Sequence, residues 1–250
     1  MKRVGIVSCY FQKNYGSMLQ ALATQMALDK LGYENETINV SGFSSEIRKS
    51  KVKYFVKASL TSDILLSKFG MAKNVIRKKL STGKYKENIG VRTIKFENFY
   101  KKYFKLSETY NSKKSLHDKC KEKYDAVLVG SDQLWLPANI AADYYTLSFV
   151  PNEVNTVAYS TSFGQSVLPL DTEKKAAIFL KNIRHIGVRE ESGRELIEKL
   201  TGRKVPVVCD PTLLFSGSEW MSIQNPDPII NEPYPPNNPA PCRIEETMVK

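Results

Sequence analysis

Short apolar runs bounded by charge alternate along this chain with stretches whose apolar residues recur at helical spacing. Arg3 to Cys9 is such a run and is short enough for a buried strand. Tyr10 to Gly16 is a loop. From Ser17 onward Leu19, Leu22, Met26 and Leu31 fall on one helical face, with Ser17 as the expected N-cap and Gly32 as the stop signal. Glu34 to Val40 alternates and predicts a second strand. Strand, helix, strand in that order specifies a parallel pair.

The same rhythm returns at Tyr124 to Gly130, the most apolar run of the chain, and continues with strand candidates at Thr156 to Phe163, Ile186 to Val188 and Val205 to Cys209. Asp171 stands where it could cap a helix carrying Ala176, Ala177, Phe179, Leu180 and Ile183. Glu190 to Leu200 places Leu196, Ile197 and Leu200 on one face. The fold expected is α/β: a Rossmann-like, mainly parallel sheet with helices on both faces over residues 1–220. Val4–Cys9 and Ala126–Gly130 should be interior strands.

Two stretches break the pattern. Residues 44–123 hold 22 Lys and Arg against 7 Asp and Glu, a balance of +15, while the rest holds 15 against 19, or −4. The net charge of +11 therefore belongs to one segment. Ile64, Leu65, Phe69, Val75, Ile76 and Leu80, and then Phe96, Phe99 and Tyr103, recur among lysines there, so 44–123 reads as an insertion of basic amphipathic helices. Beyond Trp220, seven of the twelve prolines fall between Pro226 and Pro241, interleaved with Asn. Proline fixes φ and removes a donor, so 221–250 is expected to be a disordered tail.

Composition narrows the function classes. No apolar run approaches the ~20 residues that cross a bilayer, and the first residues do not form a signal peptide, so the expected location is the cytoplasm. Cys9, Cys120, Cys209 and Cys242 have no CxxC spacing, which argues against a zinc site or a disulfide framework. Cys9 and Cys209 close apolar runs and are expected to be buried. There is no GxGxxG and no Walker loop.

Three segments stand where a strand hands over to a helix, the usual ligand edge of a parallel sheet. Asn14, Gly16 and Ser17 lie in the first, which is either a ligand loop or a tight turn with a capping serine. Ser131, Asp132 and Gln133 lie in the second, with Trp135 placed to stack on a sugar ring or to fill core. Arg189 lies in the third; its planar fork suits phosphate or carboxylate, or pairs with a neighbouring glutamate. His185 reads as structural and His117 as solvated.

Read in order, Val4-Gly-Ile with Asn14-Tyr-Gly and Leu19-Gln-Ala, Leu31-Gly-Tyr33, Tyr124 to Trp135, Ala158 to Gly164, Val188 to Gly193 and Asp210-Pro-Thr-Leu-Leu214 resemble the polysaccharide pyruvyltransferase family. The resemblance implies one half of a two-domain, GT-B-like transferase that moves the enolpyruvyl unit of phosphoenolpyruvate onto a sugar as a ketal and releases phosphate. No cofactor beyond that donor is implied. Arg189 would anchor the donor, and the loops holding Asn14, Gly16, Ser17, Ser131, Asp132 and Gln133 would line an interdomain cleft. The acceptor would be a sugar or a lipid-linked saccharide of a capsule or exopolysaccharide. The catalytic acid and base stay unassigned. Such enzymes carry a histidine motif in a second domain that this sequence lacks, which gives the expectation of a truncated chain with impaired activity. Two other readings stand beside it. One is a glycosyltransferase half using a nucleotide sugar. The other is a non-enzymatic protein whose basic segment docks on anionic lipid at the inner face of the plasma membrane; nucleic acid is not expected as a partner.

Overall fold

The computed structural model describes residues 2–59 and 83–224. Six short strands form one all-parallel sheet: β1 (Arg3–Val7), β2 (Glu34–Asn39), β3 (Leu106–Thr109), β4 (Ala126–Asp132), β5 (Asn155–Thr161) and β6 (His185–Val188), in the order β3-β2-β1-β4-β5-β6. β1 and β4 are the interior pair, with Val4 opposite Ala126 and Val7 opposite Val129. Ile6, Val7, Val127 and Val129 are buried completely, as a strand covered on both faces requires. The chain steps one way from β1 to β3 and the other way from β4 to β6. Right-handed crossovers in the two directions put helices on opposite faces.

The first crossover is α1 (Tyr15–Lys30), whose Met18, Ala21, Leu22 and Leu28 are buried. Leu28 packs with Val4, Ile6 and Leu128 in one apolar cluster. Its N-cap is Asn14 rather than Ser17: Asn14 is extended, at φ −135°, and its carboxamide accepts from the Ser17 amide. Asn14, the residue just before the helix, satisfies that amide and frees the Ser17 hydroxyl for other work. Gly32 does stop the helix, in the left-handed region at φ +77°.

The stretch 44–123 is not wholly an insertion. It holds the basic helices α2 (Ser44–Ser59) and α3 (Lys84–Tyr103), but also β3 and α4 (Lys113–Lys123). β3 extends the sheet beside β2, and α4 leads from it toward β4, burying only Leu116 and Cys120. The apolar positions read between Ile64 and Leu80 lie outside the described residues.

After β4 come α5 (Pro137–Ala142), α6 (Leu170–Asn182) and α7 (Glu191–Thr201). Asp171 does not cap α6; Pro169 holds that position and Asp171 pairs with Lys57 at 2.6 Å on the surface. Val205–Cys209 is not a strand: a single parallel bridge joins Val207 to Val188 before a short 3-10 turn at Pro211–Leu214. Pro206 cannot donate to a ladder, which limits the pairing. Compact packing ends at Phe215, and Ser216 begins a second unit. There α8 (Gly217–Ile223) is closed by a Ser216–Glu219 capping box. Of the tail expected to be disordered, residues 221–223 are helical as the end of α8, and the part beyond Gln224 lies outside the described residues. Among the described residues no helix is long and apolar enough to cross a membrane.

Candidate functional site

β1 and β4 are neighbours whose outgoing connections diverge, β1 toward β2 and β4 toward β5. The divergence opens a crevice beyond their carboxyl ends, the place where ligands bind in doubly wound sheets. Three of the segments singled out in the sequence end there.

Asp132 closes β4 at the centre of the crevice. Its Oδ2 accepts from the Ser17 hydroxyl at 2.8 Å and from the Cys9 thiol at 3.4 Å, and its Oδ1 from the Gln133 amide at 2.8 Å. Its backbone sits in the left-handed region at φ +90°, a conformation that costs about 1–3 kcal/mol in a residue with a side chain. Two residues earlier, Gly130 stands at φ +152°, and a β-carbon there would run into the carbonyl oxygen of Tyr159 on β5. Only glycine lets the two strands close up at this point.

Ser131 is completely buried. Its amide donates to Gln20 Oε1 at 2.7 Å, and its hydroxyl lies 2.8 Å from the Ser160 carbonyl and 3.1 Å from Asp210 Oδ2. One hydroxyl proton serves one of these acceptors at a time. Ser131 thus builds the floor of the crevice and is withdrawn from its surface. Gln20 also donates to the Ser17 carbonyl at 2.8 Å and to the Cys9 sulfur at 3.3 Å. Burial and the Asp132 charge push the Cys9 thiol up to about 12, so it remains a neutral donor.

Arg189, at the end of β6, reaches the same place. Its Nη1 lies 3.4 Å from Asp210 Oδ2 and 4.0 Å from Asp132 Oδ1, and its Nε lies 3.9 Å from Glu190 Oε2. One guanidinium therefore stands among three carboxylates, all loosely spaced and partly solvated. Its Nη2 has no protein acceptor among the described residues. Asn14 and Gly16 are exposed at the rim, and the exposed Gln133 lies across Gly164.

Trp135 is not a stacking platform. It is wholly buried, donates from Nε1 to the Tyr145 carbonyl at 3.0 Å, and packs on Phe163 and Phe179 with centroids 5.0 and 5.5 Å away. Cys209, expected in the core, is exposed, 3.8 Å from the Tyr159 hydroxyl. His185 is exposed where β6 begins, at the far edge of the sheet from the crevice. His117 is exposed on α4, with Nδ1 2.7 Å from the Phe149 carbonyl. Among the described residues no group of three or more His, Cys, Asp or Glu side chains is placed to hold a metal ion.

The network contains residues that spacing alone did not single out. Asp210 caps the Thr212 amide with Oδ1 while its Oδ2 reaches back to Ser131 and Arg189. Cys9, Gln20 and Ser160 complete it. Asp210-Pro and Leu19-Gln-Ala both stand among the motifs that carry the family resemblance, but spacing did not mark Gln20 as a site residue.

A family model described as polysaccharide pyruvyl transferase matches residues 14–239, beyond the last strand of the sheet and into the proline-rich stretch. No curated protein and no solved structure matches the chain.

Proposed function

Since the chain belongs to the polysaccharide pyruvyl transferase family, we propose that the β1/β4 crevice binds phosphoenolpyruvate and delivers its enolpyruvyl unit to a sugar of a cell-surface polysaccharide. One observation carries the reading: Ser17, Asp132 and Arg189, from three separate segments, meet at the carboxyl edge where the sheet changes direction. In the reaction a sugar hydroxyl adds to C2 of the donor while C3 gains a proton and becomes a methyl group. A second hydroxyl of the sugar then displaces phosphate and closes the ketal. Arg189, with its Nη2 donors uncommitted, suits the planar carboxylate of the donor. Asp210, the nearest carboxylate at 3.4 Å, holds the guanidinium in place. Asn14, Gly16 and Ser17 shape the rim at the amino end of α1, where unpaired amides favour an anion. Asp132 and the exposed Gln133 suit sugar hydroxyls.

The test is calorimetric titration of the purified chain with phosphoenolpyruvate, followed by phosphate release in the presence of saccharide acceptors. Arg189→Ala should weaken donor binding by about tenfold or more, the scale of one charge-assisted contact. Tight binding of nucleoside diphosphate sugars with no binding of phosphoenolpyruvate would instead favour a glycosyltransferase.

The location proposed for this activity is the cytoplasmic face of a membrane. Val52 and Val56 on α2 are 55% and 59% exposed beside Lys49 and Lys53. Apolar and basic side chains side by side favour an anionic bilayer surface. Sedimentation with anionic vesicles that fails with neutral ones and fades with salt is the expected result.

A further inference from the structure

The crevice has a charge problem if its ligand is an anion. Around Arg189 three carboxylates face one cation, and a phosphate ester arriving there meets excess negative charge. A second cation is needed, and the structure contains one that the sequence hid among the many lysines of α2.

Lys51 lies in the middle of α2 and is half-buried. Its ammonium sits 5.9 Å from the centroid of Tyr145, the fully buried ring whose carbonyl holds Trp135. It is close enough to Cys9 to feel any charge on that sulfur, and Cys9 donates to Asp132. Lys51 therefore lies near Cys9, which follows β1 and is tied to the crevice through Asp132.

What distinguishes Lys51 is the lack of a counter-ion. The other well-buried lysines are compensated. Lys113 has Glu46 and Asp143 at 3.7 and 4.0 Å, and Lys123 has Glu36 and Glu108 at 2.9 and 3.5 Å. Even the exposed Lys57 has Asp171. Lys51 has no carboxylate within ion-pair distance among the described residues. A cation withdrawn from water without a partner destabilises the fold, and burial does lower its affinity for a proton. Such groups collect at ligand sites, where the missing partner is the ligand.

We propose that Lys51 is the phosphate anchor of the crevice, the point charge that neutralises the donor's phosphate while Arg189 takes its carboxylate. This assignment rests on the donor reading above, yet the two can fail separately. An ammonium on a flexible stem suits the rounded charge of a phosphate, as a guanidinium fork suits the flat carboxylate.

The experiment is titration of the full chain, wild type and variants, with phosphoenolpyruvate and separately with inorganic phosphate, together with thermal unfolding. Lys51→Met should weaken both ligands by about tenfold or more, and Lys51→Arg should recover part of that loss. Lys174→Met, at an exposed lysine on α6, should change nothing. Lys51→Met should also melt no lower than wild type, because it removes an uncompensated charge, whereas a lysine kept for packing would lower the melting point. If wild type binds phosphoenolpyruvate and Lys51→Met binds it equally well, the anchor is wrong and the donor reading stands. Lys51-dependent binding of phosphate without binding of phosphoenolpyruvate would support the anchor and sink the donor. Failure to bind either anion overturns both.

Discussion

Asp210 offers the sharpest test of how the crevice is held together, because its two oxygens do different jobs. Asp210→Ala removes the acceptor for the Thr212 amide at 3.0 Å and hydroxyl at 2.8 Å, the contact to Ser131 at 3.1 Å and the ion pair to Arg189 at 3.4 Å. Losing the cap should cost about 1 kcal/mol. The ion pair joins side chains 30% and 21% exposed and is long, so it adds at most about 1 kcal/mol. Ser131 adds little, since its proton can turn to the Ser160 carbonyl at 2.8 Å. The sum, about 2 kcal/mol, should lower the melting temperature of a unit this size by about 4–8 °C. Asp210→Asn keeps a carbonyl oxygen for Thr212 and removes only the charge, so it should cost about half as much or less. Thermal unfolding followed by circular dichroism, at low and high salt, separates the parts: the charge share should shrink as salt screens it. If Asn costs as much as Ala, and salt changes neither, the cap is not what Asp210 contributes and the division drawn here is wrong.

Gly130→Ala should be far more damaging than Gly187→Ala. The first drives a methyl into the Tyr159 carbonyl and should cost about 4 kcal/mol or more; the second meets only Val208 methyls at 3.1 and 3.2 Å, which can yield. Soluble yield and urea midpoints compare them, and equal behaviour would contradict the close strand approach. Stability should also fall at alkaline pH. Burial raises Cys9 and Cys120 from an ordinary 9.0 to about 12. The unfolded chain ionises first, so the contribution is complete below the ordinary thiol range and is lost as pH rises through it toward the raised values. Urea midpoints measured over that window should decline, and less steeply in Cys9→Ala.

The interior of the fold was legible because its signals are local. β1 and β4 are short apolar runs flanked by charge, and both are interior strands. β3 was hidden because an edge strand needs little apolar surface: Leu106-Ser-Glu-Thr109 has one apolar residue and follows a lysine-rich helix. α4 escaped for the same reason, with Leu116 and Cys120 its only buried residues. At the site, residue types at strand ends brought Asn14, Ser17, Asp132 and Arg189 to notice. The partners that fix them are remote in sequence: Asp210 lies 79 residues from Ser131, and Gln20 lies 111 from it. Trp135, for which the sequence left stacking and core filling both open, has a physical lesson as well. Next to a polar turn, a large ring that also needs a hydrogen bond for its N–H is satisfied best inside, where the Tyr145 carbonyl waits.

The carboxamide of Gln20 touches three parts of the chain at once: the sulfur two residues past β1, the first turn of α1 and the amide that follows Gly130. Mechanically it is a rivet. A loop pinned only at its own ends can bend around whatever arrives, but these two loops share a fastening, so neither can give without dragging the other. Shape on this side of the crevice is consequently set before any ligand enters. Discrimination should then fall on molecules that need the walls to part by a few tenths of an ångström, and those should be refused at the threshold instead of being bound loosely. Swapping the rivet for Gln20→Met, close in volume but unable to hold either end, should loosen that refusal and broaden the range of anions admitted while lowering the affinity for each.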